Sequence, residues 1–283
     1  MTYSNAKLIC CDLDGTLLNS KGEISSTSKN TLRMIRSKGI LVAICSGRPL
    51  SSILQHVDAD LFDYASCLNG QDLFCCKNGL HYEKDKLITE DLQYLCSLLD
   101  THMVMMNYHD QTRSITAASR KYILFADIFS RLQNLRWISK QMPVHKRAIT
   151  SDPMASLPSS AAKVCFCSTY GILKKIAKEL PSDRCTSFFV SKQWLEVQRL
   201  GISKGESIRK IMELENIAAE QCISFGDGEN DISMLQICGT GIAMANAMPK
   251  TKKAADAVTL SHDHDGVAVW LQNNLLAADH SIT

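Results

Sequence analysis

The sequence predicts an α/β protein, a doubly wound and mainly parallel sheet of Rossmann-like kind, with an α+β domain inserted into it. Three observations predict this. Short continuous apolar runs near both ends of the chain stop abruptly in polar, glycine-containing turns, the mark of buried parallel strands. Helical patterns separate those runs, which implies right-handed strand–helix–strand units. The stretch between residues 83 and 191 is far too long for a crossover connection and carries strand and helix patterns of its own.

Taken in order, Lys7 to Leu13 (KLICCDL) reads as a buried strand ending at Asp14-Gly15-Thr16. Ser26 to Lys38 carries apolar residues at Leu32 and Ile35 and stops before Gly39, so a helix leads into a second buried run, Ile40 to Cys45, which ends at Ser46-Gly47-Arg48. Within the insertion the patterns predict helices near Glu90–Asp100, Tyr122–Leu132 and Gly171–Leu180, and strands near Met103–Tyr108, Lys163–Ser168, Ser187–Ser191 and Trp194–Gln198. A helix follows from Ser203, its N-cap, to Asn216. The strand Gln221–Phe225 then breaks at Gly226-Asp227-Gly228, and a helix from about Asn230 to Ile237, a strand at Gly241–Met244 and a helix at Gly266–Leu276 close the pattern. The resulting division is residues 1–82 with 192–283 as the core and 83–191 as the insertion.

Of the 283 residues, 45% are hydrophobic and 21% charged, enough for two compact units. The net charge of +2, from 31 basic and 29 acidic residues spread along the chain, leaves no electrostatic footprint for nucleic acid or an anionic membrane. No apolar run reaches the roughly 18 residues of a membrane span, and the first residues lack the pattern of a secretion signal, so a cytoplasmic protein is expected. Cysteines 10, 11, 45, 165, 167 and 222 sit inside strand-like runs, where a reduced thiol packs as a small hydrophobe. A small-molecule partner and a monomer or homodimer are the expectation.

Three of the buried strands end in Asp12-Leu13-Asp14-Gly15-Thr16, Ser46-Gly47-Arg48 and Gly226-Asp227-Gly228-Glu229-Asn230-Asp231. In a parallel sheet those ends share one edge, and ligands of open α/β sheets bind there. Clustered carboxylates hold a hard cation such as Mg²⁺, while backbone N–H groups, the Ser46 hydroxyl and Lys204 cradle a dianion, a content suited to phosphoryl transfer.

Asp12-x-Asp14-Gly-Thr, Ser46-Gly-Arg, Lys204 and Gly-Asp227-Gly-x-Asn230-Asp231, in this order, resemble the four motifs of the haloacid dehalogenase superfamily. Gly241-Ile-Ala-Met-Ala-Asn-Ala247, Asp265-Gly-Val-Ala and the large insertion are similar to its Cof-type sugar-phosphatase branch, whose insertion is a C2-type cap. The resemblance implies a Mg²⁺-dependent phosphatase acting on a small phosphorylated metabolite. Asp12 is then nucleophile and metal ligand, and Asp14 acts as acid and base while giving its backbone carbonyl to the metal. Asp227 is a further ligand and Asp231 supports the ion's water shell; Leu13, Ser46, Gly47, Lys204 and Asn230 meet the phosphate. Aspartate at position 14 sets the chain apart from the related transport ATPases, which carry threonine there.

Read singly, each motif has a plainer meaning: a turn after a strand, or a solvated lysine at a helix start. Order and context carry the weight. His262-Asp263-His264-Asp265 reads as a loop with Asp265 capping the final helix, not as a metal site. A phosphomutase on the same fold and a non-catalytic phosphometabolite sensor are the rival readings.

Overall fold

The computed structural model describes residues 3, 5–109, 114–124 and 152–276. The chain divides into two compact units, Met1–Lys84 with Gly201–Thr283, and Asp85–Leu200.

The first unit is built on an eight-stranded sheet. Its strands are β1 (Leu8–Asp12), β2 (Leu41–Cys45), β3 (Tyr64–Cys67), β4 (Asp72–Cys75) and β5 (His81–Glu83), and, from the second half of the unit, β13 (Cys222–Gly226), β14 (Thr240–Ala243) and β15 (Ala257–Val258). The order is β15-β14-β13-β1-β2-β3-β4-β5. All pairings from β15 to β3 are parallel, while β4 and β5 are added antiparallel.

Side-chain alternation explains why the central strands are apolar throughout. Ile9 and Cys11 of β1 join Val42, Ile44, Leu32, Ile35, Trp270 and Leu271 in one core, beneath the helices Ser26–Ser37 and Gly266–Leu271. Leu8 and Cys10 join Ala43, Cys45, Ile208, Ile211 and Met234 in another, on the opposite face, beneath the helices Lys204–Glu215 and Ile232–Ile237. Two buried faces make the sheet doubly wound, as the sequence predicts. All twelve cysteines are free thiols and only Cys76 is exposed.

The second unit carries a five-stranded antiparallel sheet, order β11-β12-β10-β7-β8, from β7 (Met105–His109), β8 (Ser114–Ala118), β10 (Lys163–Cys167), β11 (Cys185–Ser191) and β12 (Trp194–Arg199). The pair β6 (Leu87–Ile88) and β9 (Ser160–Ala161) forms a separate ribbon. Helices Thr89–Thr101 and Tyr170–Glu179 bury Leu92, Leu95, Leu173 and Ile176 against Met106, Tyr108, Val164, Phe166, Leu195 and Val197. Of the helix expected over Tyr122–Leu132, residues 120–124 are helical and the rest lies outside the described residues.

The chain crosses between the units at Lys84–Asp85 and Leu200–Gly201, not at 83 and 191. The second crossing moves because β12 pairs with both β10 and β11 and is an inner strand of the second unit's sheet. The two ends of the first unit's halves are tied together, Lys84 Nζ donating to the Gly201 carbonyl at 3.1 Å.

Asp265 corrects one sequence expectation. It precedes the helix Gly266–Leu271 in the left-handed conformation (φ 52°), but its carboxylate makes no capping bond there. Instead Oδ1 accepts hydrogen bonds from the hydroxyls of Ser25, at 2.6 Å, and Ser28, at 3.1 Å. Ser25 is the N-cap of the first helix, so a residue late in the chain braces the helix nearest its start.

Candidate active site

Strands β13, β1 and β2 are neighbours and parallel, so their carboxyl ends lie along one edge. Asp12 is the last residue of β1, Ser46 follows β2 directly, and Asp227 follows β13 directly. A fourth group arrives from the helix Lys204–Glu215, whose first residue is entirely buried. That helix starts there because Ser203 caps it, its hydroxyl accepting the Glu206 N–H at 3.2 Å.

Lys204 Nζ donates to Asp12 Oδ1 and to Asp231 Oδ1, each at 2.5 Å. The second oxygen of Asp231 accepts the backbone N–H groups of Asp227, at 2.9 Å, and Gly228, at 2.8 Å. Asp231 is therefore held on both oxygens. One carboxylate oxygen from each of Asp12, Asp227 and Asp231 lies within 4.8 Å of the others.

Close approach depends on glycine at two points. A Cβ on Gly15, whose φ is +80°, would fall 2.5 Å from Asp227 Oδ2, and one on Gly226 would fall 2.5 Å from the Asp231 Cβ. Asp227 Oδ1 also takes the Thr16 hydroxyl at 3.3 Å.

Crowding buried carboxylates has a cost in proton affinity. Burial, then Asp231, push the Asp12 carboxyl well above the usual range, and Lys204 only partly offsets them. Burial and Asp231 push Asp227 up to about 7. Burial disfavours the Lys204 ammonium, but Asp12 and Asp231 outweigh it and hold the proton more tightly than in water.

The other predicted residues surround this cluster. Asp14 is half exposed and gripped by Arg48, Nη2 on Oδ1 at 2.6 Å and Nε on Oδ2 at 2.8 Å. Ser46 is buried; its N–H donates to the Ser66 carbonyl and its Oγ accepts the Arg48 N–H at 3.2 Å, which leaves the hydroxyl proton to be donated. Gly47 lies in the same turn. Leu13 is buried behind Asp12, and its carbonyl accepts the N–H groups of Leu17 and Leu18. Asn230 Nδ2 donates to Asn69 Oδ1 at 3.0 Å.

Asn69, Arg48 and Thr16 carry no role in the sequence reading, yet each touches a predicted site residue. For Asn69 a signal was present: Asn69-Gly70 is a turn dipeptide directly after an apolar run. Leu68, Asn69 and Gly70 all have positive φ, at 49°, 58° and 97°. Leucine pays about 1–2 kcal/mol for that conformation, whereas asparagine and glycine enter it readily.

The donor set suits a divalent cation. Three carboxylates and one ammonium leave two negative charges, all offered on hard oxygen atoms within one small volume. The residues present therefore fit Mg²⁺.

A family model described as haloacid dehalogenase-like hydrolase matches residues 9–271. The chain belongs to that family. A solved haloacid dehalogenase-like hydrolase from Bacteroides thetaiotaomicron is 30% identical to it and superposes with a TM-score of 0.71, over 95% of this chain and 99% of the other. The pyridoxal phosphate phosphatase YbhA of Escherichia coli is 28% identical over 283 residues, covering 95% of this chain and 99% of the relative. The HMP-PP phosphatase of Klebsiella pneumoniae is 27% identical over 279 residues, covering 95% and 97%. The chain is thus a hydrolase of the haloacid dehalogenase family, and these relatives fall in the Cof-type branch that its motifs resemble.

Proposed function

We propose that this hydrolase is a Mg²⁺-dependent phosphatase of small phosphorylated metabolites that works through an aspartyl-phosphate on Asp12. One observation carries the reading: Asp12, Asp227 and Asp231 share a pocket with a buried lysine that neutralises only one of their three charges. The named activities of the relatives, on pyridoxal phosphate and HMP-PP, support the substrate class.

In this reading Asp12, Asp227 and the Asp14 carbonyl hold the cation, and Asp231, engaged by Lys204 and two backbone N–H groups, supports the ion's surroundings. When bound, the ion supplies positive charge to the phosphoryl oxygens. Lys204 fixes Asp12 Oδ1 and leaves Oδ2 to attack phosphorus. As the new O–P bond forms and the ester O–P bond breaks, Asp14 gives a proton to the departing alkoxide. Water then attacks the acyl-phosphate, Asp14 takes its proton, and phosphate leaves with the Asp12 carboxylate restored. Asp14 must turn from Arg48 to do this, so the guanidinium sets its resting orientation. Phosphate oxygens meet the Ser46 hydroxyl, Lys204, Asn230 and the N–H groups of Leu13 and Gly47. Choice among esters is assigned to the inserted unit, Asp85–Leu200.

Asp12→Asn tests the reading. It keeps an oxygen for Lys204 and removes the nucleophile, so phosphate release with Mg²⁺ should vanish while the circular dichroism spectrum stays that of the wild type. Residual turnover in Asp12→Asn would remove the nucleophile from this position. Isomer formation in place of phosphate release by the wild type would move the chain to the phosphomutases.

A further inference from the structure

We propose that Asn69 is a positioning residue for Asn230: its side-chain oxygen holds one N–H of the Asn230 amide and so aims the other at the phosphoryl group. The inference rests on the reading of Asn230 as a phosphate donor.

An amide nitrogen carries two hydrogens in one plane. In Asn230 one of them is spent on Asn69 Oδ1, at 3.0 Å. Glycine at 228 makes room for the other end of the amide, since a Cβ there would stand 2.4 Å from Asn230 Oδ1. Held through one N–H, the amide keeps the other in a set direction and loses less rotamer entropy when the ligand arrives.

Asn69 itself is held hard. It is entirely buried, in the left-handed region at φ 58° and ψ 29°, between Leu68 and Gly70, which also have positive φ. The Leu68 N–H donates to the Arg48 carbonyl at 3.0 Å, and the Asn69 N–H to the Ser46 carbonyl at 2.9 Å. Gly70 lies so close to Ser203, the cap of the Lys204 helix, that a Cβ there would stand 2.2 Å from the Ser203 carbonyl oxygen. This left-handed run therefore touches the turn after β2, the start of the lysine-bearing helix and the amide of Asn230. Strain of this kind persists only where surrounding structure over-determines it, and it gathers at functional sites. Asparagine tolerates the backbone and supplies the acceptor together.

A purely conformational role and a positioning role make opposite demands on Asn69→Gly, which keeps the left-handed backbone and deletes the acceptor. The assay is inhibition of the full-length, Mg²⁺-loaded enzyme by orthovanadate and by inorganic phosphate, with melting temperatures measured alongside. The expected result is vanadate inhibition weakened about tenfold or more in Asn69→Gly, the size of a lost hydrogen bond to a charged group. Asn230→Ala is expected to weaken it at least as much, and the double variant to be no weaker than Asn230→Ala alone. Asn69→Asp, which keeps an acceptor and the same backbone tolerance, should recover most of the loss, and Asn69→Ala, which also deletes the acceptor, takes the place of the glycine variant if that one does not fold. Wild-type inhibition of Asn69→Gly, effects that multiply in the double variant, or an aspartate variant that recovers nothing would overturn the proposal. An Asn230→Ala enzyme inhibited like the wild type would instead overturn the phosphate role of Asn230 and, with it, this inference.

Discussion

Replacing Lys204 by methionine keeps the aliphatic stem's bulk and deletes the charge between Asp12 and Asp231. Each of those contacts is 2.5 Å long, and at an effective dielectric of about 20 each attraction is worth about 7 kcal/mol before desolvation. Desolvation of the three groups consumes much of this, and removing one partner of a buried pair leaves a net loss of about 3–5 kcal/mol. Two carboxylates are orphaned together here, which places the metal-free variant at the upper end. Amide hydrogen exchange of strand β1 in the presence of a chelator is the right assay, because it reports the catalytic unit alone and not the inserted one. Mg²⁺ should then restore protection by mass action, and more steeply in the variant, whose pocket carries an extra unbalanced negative charge. Turnover should remain down on the order of 10²–10³-fold at saturating Mg²⁺, since the proposed mechanism has the ammonium serve the transition state. A chelated Lys204→Met protein with wild-type protection in β1 would refute the electrostatic account.

Three further outcomes are expected. Asp227 titrates near 7 in the metal-free fold because it is buried beside Asp231, so the folded chain retains a proton that the unfolded chain releases in the ordinary carboxyl range. The part of metal-free stability that Asp227 contributes should therefore fall, by up to about 4 kcal/mol, as pH rises from about 4 to about 7, and level off above. Mg²⁺ affinity, which requires that carboxylate ionised, should climb over the same window, and calorimetry showing a flat affinity would count against Asp227 as a ligand. Gly15→Ala should cost on the order of 10²-fold in kcat/KM at saturating Mg²⁺, because its Cβ would displace the Asp227 carboxylate 2.5 Å away. Unchanged kinetics in that variant would show that the carboxylate need not sit where it does.

The central sheet was legible because two-sided burial leaves a plain trace. Leu8–Asp12, Leu41–Cys45 and Cys222–Gly226 are apolar on both alternating faces and stop where the chain turns at the sheet edge. The charged cluster was legible because its members are the polar residues at those stops. What escaped was short or shared between elements. Strands β3, β4 and β5 have three or four residues each, too few for periodicity, although Asn78-Gly79 marks the turn that joins β4 to β5. The end of the insertion, drawn at 191, falls short of the strand near Trp194–Gln198 that the sequence reading counts with it, and pairing with β10 and β11 places Trp194–Arg199 inside the second unit's sheet. Asn69 and Arg48 act through partners distant in sequence, Asn230 and Asp14, and no local pattern encodes such a pairing.

The tie between Lys84 and Gly201 bears on how such a protein can diversify. With exit and return points stapled side by side, lengthening the excursion between them adds closure entropy only logarithmically, a few tenths of a kcal/mol for tens of extra residues. Asp12, Asp227, Asp231 and Lys204 all belong to the first unit, outside the spliced segment. In the proposed reading, ester preference can drift, or be swapped wholesale, while those groups keep their sequence positions.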